Sequence, residues 1–320
     1  MDQLSATLLS APVLFFVLGA LAAAVRSDLA VPETLAKGMS LYLMAAIGLK
    51  GGVEVAKAGI GPELVTALAT GLVLSATIPF LVAPALARFG GLDRTNTGAV
   101  AAHYGSVSVV TFVTASQVYG NSGFAIAGFM VAVLAMMETP AILSGLFLAR
   151  REGGKMLSPE LLREVMFNGS VVLLLGSFVI GMTIGEKGFE PVSPLFQAGF
   201  TGVLCLFLLD MGLIAMRRIM KTRALTLRLA TLAILFPIVN GTLGAFAGAL
   251  IGLDPASAAG LAILAASASY IAVPAAMRLS LPQADAGLYL AMSLGVTFPF
   301  NIVIGIPLFR WMAENLGALL

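Results

Sequence analysis

Apolar runs of bilayer length, separated by short polar interruptions, follow one another along the whole chain. A helix needs roughly 20 apolar residues to cross the hydrocarbon core of a membrane. Ten runs of about that length are recognisable, over residues 8–25, 35–53, 64–87, 98–119, 124–149, 165–184, 195–216, 225–253, 256–277 and 286–311. The polar stretches between them leave no room for a soluble domain. The pattern therefore predicts one all-α integral membrane protein with about ten transmembrane helices.

The longest charged loop, residues 151–164, divides the chain nearly in half, and the two halves resemble each other. The string GLFLAR at 145–150 matches GIPLFR at 305–310, and Pro140 corresponds to Pro299 within one residue. We expect a first five-helix repeat over 1–150, a central cytoplasmic loop over 151–164 and a second repeat over 165–320. Because five is odd, the second repeat is inverted in the membrane, which is typical of secondary transporters.

Lysine and arginine are distributed unevenly among the predicted loops. Counted in chain order, the odd-numbered loops hold thirteen of them, whereas the even-numbered loops and the tails hold four. Positively charged residues are enriched in cytoplasmic loops. This distribution predicts a multi-pass protein of a bacterial inner membrane with both termini outside the cytoplasm.

Composition excludes several classes of function. The chain is 59% hydrophobic and 11% charged, against about a quarter charged in an ordinary soluble domain. A net charge of +2 without a long basic cluster argues against a nucleic-acid partner. The single cysteine, Cys205, excludes disulfides and thiolate sites for transition metals, and no P-loop or HExxH motif is present. We expect no enzyme activity and no cofactor.

Small and hydroxyl residues cluster near the middle of the fourth and ninth spans. The two strings are HYGSVSVVT at 103–111 and SASYIAVP at 267–274. Gly105 and Pro274 can interrupt the helices, which frees N–H groups for an anion and leaves carbonyl and hydroxyl oxygens for Na⁺. The clusters therefore predict discontinuous fourth and ninth helices. The alternative is that small residues only allow close helix packing.

Two acids and the single histidine lie more than three residues from either end of a predicted span. A charge at a helix centre costs roughly 2.5–3.5 kcal/mol. Glu138 and Asp210 can each ligate a cation or carry a proton, or simply hydrogen-bond to a neighbouring helix. His103, the single histidine, is more typical of a packing residue. Asn301 and Thr297 mirror Glu138 in the tenth span and offer neutral oxygens. The predicted cation-binding residues are Ser108, Thr111, Ser269, Glu138 and Asn301, with Na⁺ as the coupling ion.

One string has the form used by intramembrane serine proteases. Gly120, Ser122 and Gly123 make a G-x-S-G sequence. Such a protease needs a base histidine on a later helix, but His103 precedes the serine, and the string falls in a predicted loop. The context therefore opposes proteolysis.

Several strings together resemble the sodium-dependent bicarbonate symporter family first associated with cyanobacterial carbon uptake. They are IGLKGG at 47–52, YGSVS at 104–108, ETPA at 138–141 and AASAS at 265–269. The resemblance covers nearly the whole chain. It implies a core domain that moves against a gate domain, bicarbonate held at helix ends near the midplane, inward Na⁺ as the driving force, and a trimer. It also implies that the site is lined by Gly105, Ser106, Ser108, Thr111, Ser267 and Ser269.

We therefore expect a secondary active transporter that couples Na⁺ entry to uptake of bicarbonate or a similar small anion. Within it, the predicted substrate-binding residues are Gly105, Ser106, Ser108, Ser267 and Ser269. The alternative is a proton- or sodium-coupled organic-anion permease of the same architecture, which Tyr270, Val109 and the acids Glu138 and Asp210 favour.

Overall fold

The protein is described by a computed structural model that covers residues 9–59, 61–149, 163, 167, 169–221 and 225–316. Every regular element within these ranges is helical, and no strand occurs among them. The helices are α1 Ala11–Ala24, α2 Glu33–Ala58, α3 Pro62–Arg88, α4 Arg94–Gly105, α5 Val109–Asn121, α6 Met130–Met137, α7 Pro140–Ala149, α8 Gly169–Phe189, α9 Phe200–Lys221, α10 Leu227–Leu250, α11 Pro255–Ala266, α12 Ala272–Ser280, α13 Ala286–Leu290, α14 Phe298–Phe300 and α15 Ile306–Leu316. Two π-helical segments, Ala291–Thr297 and Asn301–Gly305, join α13, α14 and α15 into one rod.

Within the described ranges, 7 helical segments are long and apolar enough to cross a membrane. They are Glu33–Ala58, Pro62–Arg88, Arg94–Asn121, Met130–Ala149, Gly169–Val192, Leu227–Leu250 and Ala286–Leu316. The apolar helices Ala11–Ala24 and Pro255–Ala266 are shorter than a full span. The chain is thus a membrane protein, whereas ten spans stay a prediction. The predicted central loop, 151–164, lies outside the described residues except for Arg163.

Four helices pack as two close pairs, α1 against α9 and α2 against α8. The backbones approach closely where glycine replaces a side chain. A Cβ atom at Gly212 on α9 would lie 2.1 Å from the carbonyl oxygen of Phe16 on α1, and one at Gly52 on α2 would lie 2.0 Å from that of Phe178 on α8. Close backbone contact of this kind stabilises helix pairs in membranes, where lipid removes the hydrophobic drive for association. We call α1, α2, α8 and α9 the paired bundle.

The remaining helices surround two interrupted rods, α4–α5 and α11–α12. Each rod begins after the same Gly-Leu-Asp turn, with Gly91 at φ 66° and Gly252 at φ 77°. Asp93 caps α4 by accepting from the backbone N–H of Asn96, and Asp254 caps α11 by accepting from that of Ser257. Both first halves then run for 12 residues and stop. The fourth and ninth helices are therefore interrupted within the hydroxyl clusters, but Pro274 lies in the first turn of α12 and not at the break.

The predicted fifth span also differs from one continuous helix. Helix α6 begins at Met130 rather than near residue 124, and the chain breaks again between α6 and α7, at Glu138 and Thr139. Ser75 of α3 stabilises this break, because its hydroxyl donates to the carbonyl of Met137 at 2.6 Å and accepts from the N–H of Ala141 at 3.2 Å. This third break buries Glu138 between the end of α6 and the start of α7.

Candidate functional site

The two interrupted rods meet at their breaks, over residues 106–108 and 267–271. The N–H of Ser269 donates to the carbonyl of His103 at 2.8 Å. The N–H of Ser108 donates to the hydroxyl oxygen of Ser267 at 2.9 Å. Together with Ser106, the three serines are at most 4% exposed. The structure thus places the predicted serines of both halves side by side in the interior.

Serine side chains make each break possible. Ser106 and Ser267 leave the helices in extended conformations, with ψ of 172° and 162°. Ser108 then caps α5, because its hydroxyl accepts from the N–H of Thr111 at 3.2 Å. Ser269 lies two residues before Ile271, the N-cap of α12, and its hydroxyl accepts from the N–H of Val273 at 3.4 Å. The crossing therefore collects two helix N-termini, which carry partial positive charge, and two C-termini, which carry partial negative charge.

Glu138 joins the crossing from the third break. The hydroxyl of Ser106 donates to the backbone carbonyl of Glu138 at 3.1 Å. The side chain is 3% exposed, and its Oε2 has no hydrogen-bond partner within the described part of the chain. It lines a cavity of about 10 Å³ together with Ser108, Ser269 and Tyr270. That volume is about what one water molecule needs, so an anion enters only after this region opens.

Asn301 reaches the crossing from the opposite side. Its Nδ2 donates to the carbonyl of Ala266, the residue before the second break, at 2.9 Å. Its Oδ1 lacks a partner among the described residues, as does the hydroxyl of Thr111, and both side chains are buried. Thr297 is occupied otherwise, since its hydroxyl donates to the carbonyl of Ala233 at 2.6 Å and pairs with Tyr104 at 2.7 Å. Asn301 and Thr111 thus offer unpaired oxygens near the breaks.

Gly105 has a packing role in this structure. A Cβ atom there would lie 2.5 Å from the ring of Pro79 and 2.8 Å from the side chain of Ala141. The last turn of α4 therefore fits between α3 and α7 only because this residue is glycine.

Two ionisable residues from the sequence analysis lie away from the small cavity. His103 is buried, with its Nδ1–H donating to the carbonyl of Ala99 at 2.6 Å and its ring stacked on Tyr289 at a centroid distance of 4.3 Å. Asp210 is buried on α9 in the paired bundle and does not line that cavity. The bond to Ala99 and the stacked ring fit a packing role for His103, although its Nε2 has no hydrogen-bond partner among the described residues.

The Gly-x-Ser-Gly string forms the C-terminal end of α5. The hydroxyl of Ser122 donates to the carbonyl of Tyr119 at 2.8 Å and accepts from a guanidinium N–H of Arg310 at 2.6 Å. His103 is held by Ala99 instead. The structure therefore pairs the serine with a cation and not with a base.

A second cavity, of about 140 Å³, lies where α2 of the paired bundle faces α5 and the segment before α6. Lys50 and Glu54 line it from α2, and Ser116 and Gln117 from α5. The Lys50 ammonium lies 5.4 Å from the ring centroid of Phe200. Sequence reasoning counted Lys50 only as a loop charge. An ionisable residue inside an apolar run is itself a signal for function.

Comparison with known families places these features in context. The sequence of the chain matches the family model of the Na⁺-dependent bicarbonate transporter superfamily over residues 11–314. This range includes all three breaks and both cavities. No curated protein matches the chain.

Proposed function

Because the chain belongs to the Na⁺-dependent bicarbonate transporter superfamily, we propose that it is a secondary active transporter that uses Na⁺ entry to take up bicarbonate or a similar small anion. The observation that carries this proposal is the hydrogen-bonded crossing of the two helix breaks through His103, Ser108, Ser267 and Ser269. Broken helices that meet near the membrane midplane create a polar site without exposing backbone groups to lipid.

The anion binds at the N-termini of α5 and α12. The first backbone N–H groups of a helix have no intrahelical acceptor, and the helix dipole favours negative charge there. The hydroxyls of Ser106, Ser108, Ser267 and Ser269 surround these N-termini and provide further hydrogen bonds. Bicarbonate both donates and accepts hydrogen bonds, so hydroxyl groups match it better than ammonium groups alone.

Sodium binds to oxygen atoms that the fold leaves unpaired. These are the Thr111 hydroxyl, Asn301 Oδ1 and Glu138 Oε2. Hard cations prefer such oxygens, and the Glu138 carboxylate supplies a negative charge. Ser108 and Ser269 line the small cavity beside Glu138, which makes them shared residues through which cation and anion binding are coupled.

The internal symmetry supports two inverted five-helix repeats, 1–150 and 165–320, and the loop charges support both termini outside the cytoplasm. Helix α1 of the first half pairs with α9 of the second, and α2 pairs with α8. The Gly-Leu-Asp turns, the 12-residue half helices and the breaks recur in both halves. We propose that the interrupted rods form a core that moves against the paired bundle and exposes the crossing to each side in turn.

Transport into proteoliposomes tests the proposal. Purified full-length chain takes up labelled bicarbonate when Na⁺ is high outside, and uptake falls to the background of empty liposomes when choline replaces Na⁺. Added acetate and succinate do not compete, because neither carries the hydroxyl group with which bicarbonate donates a hydrogen bond to the serines. Bicarbonate uptake that is equal with and without Na⁺ would overturn the coupling, and competition by organic anions would favour the organic-anion permease.

A further inference from the structure

An apolar groove of about 730 Å³ runs along the outer surface between α3 and α10. Its walls include Leu81 from α3, Phe89 directly after that helix, and Leu235 and Val239 from α10. These side chains remain about half exposed, with Leu235 at 46% and Val239 at 54%. In a membrane protein such a surface faces lipid, so the groove is open to a hydrocarbon chain.

Two arginines line one end of the same groove. Arg88 is the last residue of α3 and Arg228 the second residue of α10. The helix ends are adjacent, because a Cβ atom at Gly90 would lie 2.9 Å from the side chain of Leu229. Both arginines are exposed, and neither takes part in an ion pair with a described residue. The groove therefore ends in two guanidinium groups that have no counter-ion among the described residues.

The length of the groove matches one leaflet. Arg228 and Val239 are eleven residues apart on one helix, which corresponds to about 16 Å at 1.5 Å per residue. A bilayer core is about 30 Å thick, so its half is about 15 Å. The cationic end thus lies at one membrane surface while the apolar part extends toward the midplane. The uneven loop charges assign this end to the cytoplasmic surface, where anionic lipids are concentrated.

We propose that this groove binds an anionic phospholipid, with the phosphate on Arg88 and Arg228 and an acyl chain along Leu235 and Val239. Guanidinium groups bind phosphate oxygens through paired N–H donors. The groove has cationic groups at one end and an apolar channel of leaflet length beyond them. These two parts match the phosphate headgroup and the acyl chain of a phospholipid.

Native mass spectrometry of the full-length protein tests this site. Delipidated protein in detergent is titrated with phosphatidylglycerol and, separately, with phosphatidylcholine. Each arginine near a headgroup contributes about 1 kcal/mol, so Arg88→Gln with Arg228→Gln lowers phosphatidylglycerol affinity about 30-fold. Val239→Trp fills the groove and weakens both lipids. Arg218→Gln removes an exposed arginine of α9 that does not line the groove, and it leaves affinity unchanged.

Three results would overturn the proposal. The first is phosphatidylglycerol affinity that is unchanged in the double variant while the protein retains its unfolding midpoint. The second is displacement by inorganic phosphate at equal concentration, since the acyl chain would then contribute nothing. The third is a change of oligomeric mass in Val239→Trp, which would assign the groove to contact with a second copy of the chain. None of these measurements depends on the transported ion.

Discussion

The backbone N–H of Ser269 donates to the backbone carbonyl of His103 at 2.8 Å, and this bond joins the break of the second rod to the last turn of α4. Because both partners belong to the main chain, side-chain substitutions leave the bond in place. The main chain therefore holds the two breaks together, and each serine hydroxyl can be removed in a separate variant. Substitution of Glu138 therefore tests ligand chemistry against a fixed backbone, whereas Ser267 also accepts the backbone N–H of Ser108 and its substitution tests the fold.

Ser267→Ala tests the hydrogen bond that joins the two helix breaks. The Ser267 hydroxyl accepts from the N–H of Ser108 and donates to the carbonyl of Leu264 at 2.8 Å. Its loss leaves a buried N–H unpaired, which lowers the free energy of unfolding by about 1–3 kcal/mol. Thermal unfolding in detergent measures the change. Thr183→Ala is the matched control, because its hydroxyl only bonds to Val179 on the same exposed helix surface. Equal unfolding midpoints for the two variants would contradict the crossing.

Glu138→Gln keeps the shape of the side chain and removes its charge. If Glu138 Oε2 ligates Na⁺, the Na⁺ concentration for half-maximal uptake rises at least about tenfold, equivalent to about 1.4 kcal/mol. Initial uptake rates at varied external Na⁺ measure this constant. Asp210→Asn removes the other buried acid, which lies outside the small cavity, and we expect little change in the Na⁺ requirement. A larger effect of Asp210→Asn than of Glu138→Gln would reverse the assignment.

Much of the fold is predictable because bilayer-length apolar runs and hydroxyl clusters are strong local signals. The cluster around Ser108 predicts the break of the fourth helix, and Pro140 marks the third break two residues from Glu138. The start of α6 is not predictable in this way, since residues 124–129 are apolar whether helical or extended. There the N–H of Ala127 bonds to the hydroxyl of Ser257 on α11 at 3.2 Å, a tertiary contact that composition does not reveal.

The candidate site is only partly predictable for the same reason. Glu138, Asp210 and His103 give similar sequence signals, and tertiary packing alone brings Glu138 to the crossing while His103 stacks on Tyr289. The sequence does not single out Lys50 as a site residue, because its cavity forms only where the paired bundle faces α5. The Gly-Leu-Asp turns are visible in the sequence, but they lie between the apolar runs in which repeats are usually sought.

Lys50→Met tests whether the larger cavity admits the anion. Lys50 and Glu54 both line the cavity of about 140 Å³ between the paired bundle and α5. Removal of the Lys50 ammonium leaves the Glu54 carboxylate without its positive neighbour, and this carboxylate then repels an entering anion. We expect KM for bicarbonate to rise about tenfold with little change in the maximal rate, and Lys50→Arg to restore it. Lys57→Met is the control, since Lys57 is exposed beside Glu186 at 3.7 Å. An unchanged KM in Lys50→Met would remove this residue from the anion path.

Two glycine substitutions on the α2–α8 pair should change stability in opposite directions. A methyl group at Gly52 would lie 2.0 Å from the carbonyl oxygen of Phe178, so Gly52→Ala pushes the two backbones apart. Overpacking of this kind costs about 1–3 kcal/mol. At Gly176, on the exposed side of α8, a methyl group meets nothing within 4 Å. Gly176→Ala therefore only reduces the freedom of the unfolded chain and raises helix propensity, a gain of about 0.5–1 kcal/mol. An unfolding midpoint that Gly52→Ala leaves unchanged or raises would show that α2 and α8 are not in close contact.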